Sequence, residues 1–372
     1  MALDPGDWAY HLVLTIDNTK IGSALSNFPV PIKLSGSCGQ SSFDATAVFD
    51  ELGANSKKIA VTTDDYNECY VEIEKWDDTA EEAYLHVKVG TIVSGADTVL
   101  YLFYDSSNAD NDDFVGTLQS VPAMAVWDSD FAAVWHLVGD PSTAANIKDS
   151  TGVNDGVTTL LEADDEVDGL FGGGLDFDDE DLRFGNDASL QLTAELTLEA
   201  VFMRDTTHAS VVGIASKYIG FGSNDRAYVI GMDTAEKFNF VLSRDGDTSP
   251  LTNLTGSTVM GDGVWYYGVG KYKGSNTTAE LRLNDTEEDS TGAAVASVFN
   301  TAAVFSIGNQ YRRTADYMWG GQMCEVRLSK IKRTDDWCDA TYYGLFDNLI
   351  TLAEPEPPSG NPWWYYQMMR RQ

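Results

Sequence analysis

Apolar residues recur at every second position in one segment after another. Trp8, Tyr10, Leu12, Leu14 and Ile16 alternate with other residues up to Asp17-Asn18, the period of a half-buried strand that ends in a turn. Residues 59–62, 70–76, 84–89 and 99–104 read as further strands separated by turn-rich stretches. Pro29 and Pro31 place residues 26–32 on a sheet edge, since proline cannot donate to a ladder. The pattern continues through residues 133–137, 196–202, 238–242, 265–270, 279–284 and 305–308. In residues 320–329, Cys324, Val326 and Leu328 are predicted to face a core, with Glu325, Arg327 and Ser329 on the opposite side. Thr334 is placed to cap a short helix whose first turn carries Asp335 and Asp336, where the helix dipole favours acids. Trp337, Thr341 and Tyr342 then share one face. The pattern predicts an all-β fold of short antiparallel strands.

Composition narrows the partners. The chain has 372 residues, enough for two domains with cores of their own. A net charge of -34 repels phosphates, so the reading is no nucleic acid and no anionic membrane surface. The 58 acids comprise 40 Asp and 18 Glu. Asp suits the turns of a β protein, and short carboxylates also suit a saline medium or a structural Ca2+. Cys38, Cys69, Cys324 and Cys338 form no C-x-x-C pair and have no His at zinc spacing, so no zinc cluster is expected. Their even count permits disulfides without requiring them. No apolar run approaches the roughly 20 residues of a spanning helix, so no membrane insertion is expected. The first residues lack a basic region and an apolar run, and are not read as a secretory leader.

Particular motifs resemble known families. Trp8 and Tyr10, Asn27-Phe28-Pro29-Val30, Glu72 to Asp77, His86 to Val89 and Tyr101 to Tyr104 resemble, in that order, a small β-sandwich domain of unknown function. That domain precedes laminin-G-like domains in bacterial surface proteins and phage structural proteins. The usual closing Tyr-Tyr-Gly-Asn is replaced by Phe103-Tyr104-Asp105-Ser106. The second half resembles the laminin-G-like, concanavalin A-type jelly roll. The matching pieces are Val134-Trp135-His136-Leu137, the turn Asp149-Ser150-Thr151-Gly152-Val153-Asn154-Asp155-Gly156, Leu175 to Asp181, Leu196 to Phe202, and the ending at residues 320–342. Asp179 stands where the family has Gly. The implied organisation is a β-sandwich at 5–107, a linker at 108–122 and a jelly roll with a short C-terminal helix at 123–353. A Pro-rich linker and an aromatic, basic segment follow at 354–372.

Catalytic chemistry is not legible. Glu166-Val167-Asp168 approaches the E-x-D-x-x-E strand of laminarinase-like hydrolases but lacks its last Glu. No Ser-His-Asp or Cys-His arrangement and no phosphate-binding loop stands out, and the protein is read as non-enzymatic. The resemblance implies calcium ligands near the sandwich rim, at Asp178, Asp181 and Glu325. A sugar site needs aromatic faces beside polar groups, a mix present at Tyr311, Arg312, Arg313, Tyr317 and Trp319. Trp363, Trp364, Tyr365, Tyr366, Met368, Met369, Arg370 and Arg371 form a candidate docking segment, because exposed aromatics and Met suit a partner surface. The expectation is a phage virion protein: a head decoration, spike or tail-fibre component made in the host cytoplasm. It would be multi-copy or homo-oligomeric, docked on other virion proteins through this tail, and would present the jelly roll to a host surface glycan. The alternative is a carbohydrate-binding adhesin or module of a bacterial envelope, extracellular or on the cell surface.

Overall fold

The computed structural model describes residues 2–205, 208, 210–218, 224–247, 249, 251–310 and 317–355. The fold is all-β and built as two sandwiches, the second of them a jelly roll. One sheet of the first sandwich has the order Ile350–Ala353, Tyr10–Ile16, Thr98–Tyr104, Ile59–Thr63. The other has the order Leu25–Leu34, Glu82–Ile92, Val71–Asp77, Val115–Thr117. Leu12, Leu14 and Ile16 enter the core between these sheets while His11, Val13 and Thr15 stay half-exposed, as the alternation predicts. The proline-bearing strand Leu25–Leu34 lies on an edge, also as expected.

The ends of the chain interlock. Ile350–Ala353, which the sequence assigns to the jelly roll, pairs antiparallel with Tyr10–Ile16 and completes the first sandwich. Residues 108–122, read as a linker, contribute the strand Val115–Thr117, which pairs parallel with Val71–Asp77. The physical reason is the same in both cases: these edges offer unpaired N–H and C=O groups, and a distant piece of chain satisfies them.

The jelly roll stacks an eight-stranded sheet on a seven-stranded one. In the first, Gly320–Ser329 lies between Gly173–Asp178 and Glu195–Arg204, and also pairs with Phe131–Trp135. Trp135, Phe177, Phe202, Phe240, Phe305 and Trp319 fill the core between the sheets. The turn after Phe131–Trp135 is organised by Asp149, fully buried, whose carboxylate accepts from the N–H groups of Val134, Thr151 and Asn154 at 2.8–2.9 Å.

Gly320–Ser329 departs from simple alternation. Val201 pairs with Glu325 but Phe202 pairs with Met323, so Cys324 is bulged out of register. Met323, Val326 and Leu328 therefore face the jelly-roll core, while Cys324 turns to the outer side with Tyr84, Phe171 and Cys338. The polar side is buried as well: Glu325 is 3% exposed and Arg327 and Ser329 0%. The cover is the first sandwich together with the helix Asp335–Leu345. Thr334 caps that helix as predicted, accepting from the Trp337 N–H at 3.2 Å. Trp337 packs edge-on against Phe28 of the first sandwich at 4.9 Å. Lys271 and Arg282 on the outer face of the eight-stranded sheet hold the helix through Asp335 and Asp339, and Glu280 pairs with Lys271 at 2.8 Å.

All four cysteines are free and buried. Burial raises each thiol above its ordinary pKa, Cys38 to about 11 and Cys69 to about 12, so they behave as small apolar residues.

Candidate functional site

A dense group of ionisable side chains lies where the sandwiches meet. Val71 and Ile73 point into the first core, so Glu72 and Glu74 point out of it. His86 stands opposite Glu72 on the neighbouring strand. From the jelly roll come His136, immediately after Phe131–Trp135, with Glu325 and Arg327 on Gly320–Ser329. All six are nearly or fully inaccessible.

Their contacts form a closed network. His86 Nε2 lies 2.9 Å from Glu74 Oε2. His136 Nδ1 lies 2.7 Å from Glu325 Oε2 and 3.5 Å from Glu74 Oε2, and His136 Nε2 is 3.4 Å from Glu72 Oε2. The two imidazoles stack with centroids 4.4 Å apart. Trp127 donates its indole N–H to Glu72, and Arg327 Nε donates to Glu325 Oε1 at 2.5 Å. The Gly173 N–H donates to Glu74 Oε1 at 3.3 Å. A Cβ on Gly172, whose φ is +69°, would stand 1.6 Å from that oxygen. The run Gly172-Gly173-Gly174 thus lets the backbone approach the carboxylate, and a side chain at Gly172 would displace it.

Burial and charge set the protonation. Burial drives His86 well below its ordinary pKa, with His136 and Arg327 adding to the effect, so it is neutral. Burial also opposes a charge on His136, but Glu325 and Glu74 outweigh it and hold it well above the usual range. Burial pushes Glu74 up to about 8, against the pull of His136 and aided by Glu325 and Glu72. Glu325 is lowered despite burial, because His136 and Arg327 face it. Among the described residues, His86 Nδ1, Glu72 Oε1 and both Nη atoms of Arg327 are buried without a hydrogen-bond partner. The network is sealed from solvent, which suits holding an ion or locking an interface rather than acting on a polymer.

Of this group only Glu325 was singled out from sequence, as a rim calcium ligand. Glu72, Glu74, His86, Glu325 and Arg327 sit at alternate strand positions, where a polar residue has the same signature as one facing water. The signal available was that histidine and paired carboxylates shared those faces in both halves of the chain.

The predicted rim residues are dispersed. Asp178 is exposed and pairs with Gly320. It therefore lies five residues, roughly 16 Å of strand, from Glu325. Asp181 is fully buried and accepts from Arg183 Nε at 2.7 Å and Asn309 Nδ2 at 3.1 Å. These three do not converge on one calcium ion. Asp179 adopts φ 60°, the left-handed conformation that a family Gly supplies without strain.

In the candidate sugar loop, Trp319 is 0% exposed and packs against Phe202 and His208 at 5.4 and 5.8 Å, so it seals the sandwich edge. Tyr317 is half-buried. Tyr311, Arg312 and Arg313 lie outside the described residues, as do Trp363, Trp364, Tyr365, Tyr366, Met368, Met369, Arg370 and Arg371. The base of the loop is firmly tied. Asn309 and Met318 form a bridge, Ser216 Oγ donates to Asn309 O at 2.6 Å, and Gln310 Nε2 donates to Val211 O at 2.9 Å.

Residues 177–337 match the family model described as the concanavalin A-like lectin/glucanases superfamily. The matched residues fall on the second sandwich and the start of the helix Asp335–Leu345. Solved structures similar to this chain include domain 4 of AbnA, a GH43 extracellular arabinanase from Geobacillus stearothermophilus, in complex with arabinotriose. It shares 16% identity at a TM-score of 0.43, over 57% of this chain and 98% of that one. The CBM40 of Ruminococcus gnavus IT-sialidase bound to alpha2,3 sialyllactose shares 14% identity at a TM-score of 0.37, over 45% and 95% of the two chains. No curated protein matches the chain. No helix among the described residues is long and apolar enough to cross a membrane.

Proposed function

We propose that this protein is a non-catalytic carbohydrate-binding module or adhesin of the cell surface, whose jelly roll engages a glycan through the loop at residues 310–319. The match of residues 177–337 to the lectin/glucanases superfamily carries this reading. The tied base at Asn309, Gln310 and Met318 supports it, because a loop on a rigid scaffold presents contact residues at low entropic cost. Tyr311 and Tyr317 offer stacking faces. Arg312 and Arg313 favour a sugar that bears a carboxylate, which a guanidinium grips with paired hydrogen bonds. Glu166 and Asp168, the nearest thing to a hydrolase pair, are engaged elsewhere. Glu166 accepts from the Gly139 N–H, and Asp168 pairs with Lys75 of the first sandwich at 2.5 Å.

The test is a microarray of neutral and acidic glycans probed with the full chain and with Arg312→Ala/Arg313→Ala. The expected result is selective binding to a set of glycans that the double variant loses. Binding to no glycan, or binding unchanged in the variant, contradicts the proposal.

The finer reading is display on a phage virion, with the aromatic and basic residues 361–372 docking the chain on other virion proteins; that composition is what favours it. Peptides of this chain at a fixed ratio to a major capsid protein in gradient-purified particles are its expected signature. Recovery only from envelope or medium leaves the surface adhesin.

A further inference from the structure

We propose that Glu74, His86, His136 and Glu325 bind one divalent transition-metal ion of the zinc class between the two sandwiches. Four donor atoms, one from each residue, lie within 4.8 Å of one another. The closest separations are 2.7, 2.9 and 3.5 Å. Tetrahedral ligands about 2.0–2.1 Å from zinc stand roughly 3.3 Å apart, so admitting the ion would part the closest pair by about 0.6 Å and draw the widest together by up to about 1.5 Å. Two imidazole nitrogens and two carboxylate oxygens suit zinc and its neighbours, whereas calcium and magnesium prefer all-oxygen shells.

The surroundings match a metal site beyond the donors. If His136 ligates through Nδ1, its Nε2–H points to Glu72 Oε2 at 3.4 Å, and Trp127 holds Glu72 in place. A carboxylate behind a ligating histidine fixes its tautomer and raises its basicity. Charge agrees as well. The carboxylates of the two acidic ligands, Glu74 and Glu325, would match the two charges of a divalent ion held with both imidazoles uncharged, and Arg327 donates to Glu325 beside them. Two ligands come from each sandwich, so the ion would join residues that no local motif brings together.

The experiment uses the full chain, stripped with EDTA and refolded from denaturant with or without Zn2+ or Co2+. The expected result is one ion per chain, a visible ligand-field spectrum typical of tetrahedral Co2+, and a higher melting temperature with either ion. His86→Asn should abolish the spectrum. Glu72→Gln, which spares every ligand, should weaken binding by roughly 10–100-fold and keeps the test decisive if His86→Asn fails to fold. His11→Asn, on the far face of the first sandwich, should change nothing. The proposal is overturned if the wild-type chain binds no stoichiometric ion, or if both His86→Asn and Glu72→Gln bind as wild type does. Neither outcome touches the glycan reading, which rests on residues 310–319.

Discussion

Arg327 shows what a single residue does at the junction. Fully buried, it donates to Glu325 and lies over Trp127 with its guanidinium carbon 5.2 Å from the ring centre. Removing one member of a buried ion pair strands the other in a medium that solvates it poorly. Arg327→Met is therefore expected to cost about 3–5 kcal/mol, measured by urea unfolding; a loss under about 1 kcal/mol would show that the pair contributes little. At the rim, Glu180 is pushed up to about 7 by burial and by Asp165, with Asp178 and Glu162 adding to it. Its folded pKa lies above the unfolded value, so the folded state holds this proton more tightly. Its contribution favours folding most below pH 4.5 and is lost as pH rises toward 7. Glu180→Gln should flatten the fall in melting temperature between pH 5 and 8, and an unchanged profile would exclude Glu180 as its source. Residues whose role is local were legible in the sequence. Thr334 caps the N–H of Trp337, and Asp149 accepts from Thr151 and Asn154 within its own turn. His86 was not legible, and Glu325 was named without its true neighbours, because their partners are distant in sequence.

Elements were legible wherever one face alone was buried. Tyr10–Ile16 behaves as its alternation predicts, while Leu25–Leu34, buried on both faces at residues 28–32, takes the edge that its prolines predict. Gly320–Ser329 does not, because a bulge at Cys324 changes which side each residue faces. Nothing in a period of two announces an extra residue. The helix Asp335–Leu345 reads correctly from sequence, but its position between the sandwiches does not. Trp337 is its anchor, 5% exposed, with Phe28 on one side and the Arg333 guanidinium 4.0 Å from its ring. Trp337→Ala is expected to cost about 3–5 kcal/mol, against about 1 kcal/mol for loss of the cap in Thr334→Ala. Comparable costs by chemical denaturation would mean that helix formation, rather than docking, supplies its stability.

The whole molecule behaves as a loop-bearing jelly roll held on a first sandwich by the returning chain. Resemblance placed both folds in the right order. The interlock was hidden because the pairing of Ile350–Ala353 with Tyr10–Ile16 spans more than 300 residues. A chain ending at Pro355 should keep the hydrogen-exchange protection of residues 10–16. One ending at Asp347 should lose it, and equal protection in both would show that the closing strand is dispensable. For function, the decisive measurement is hydrogen exchange on the full chain with and without the best-binding glycan of the microarray. The account predicts slower exchange confined to peptides covering residues 309–319 of the jelly roll. Protection confined to the first sandwich, or none at saturating glycan, would contradict it.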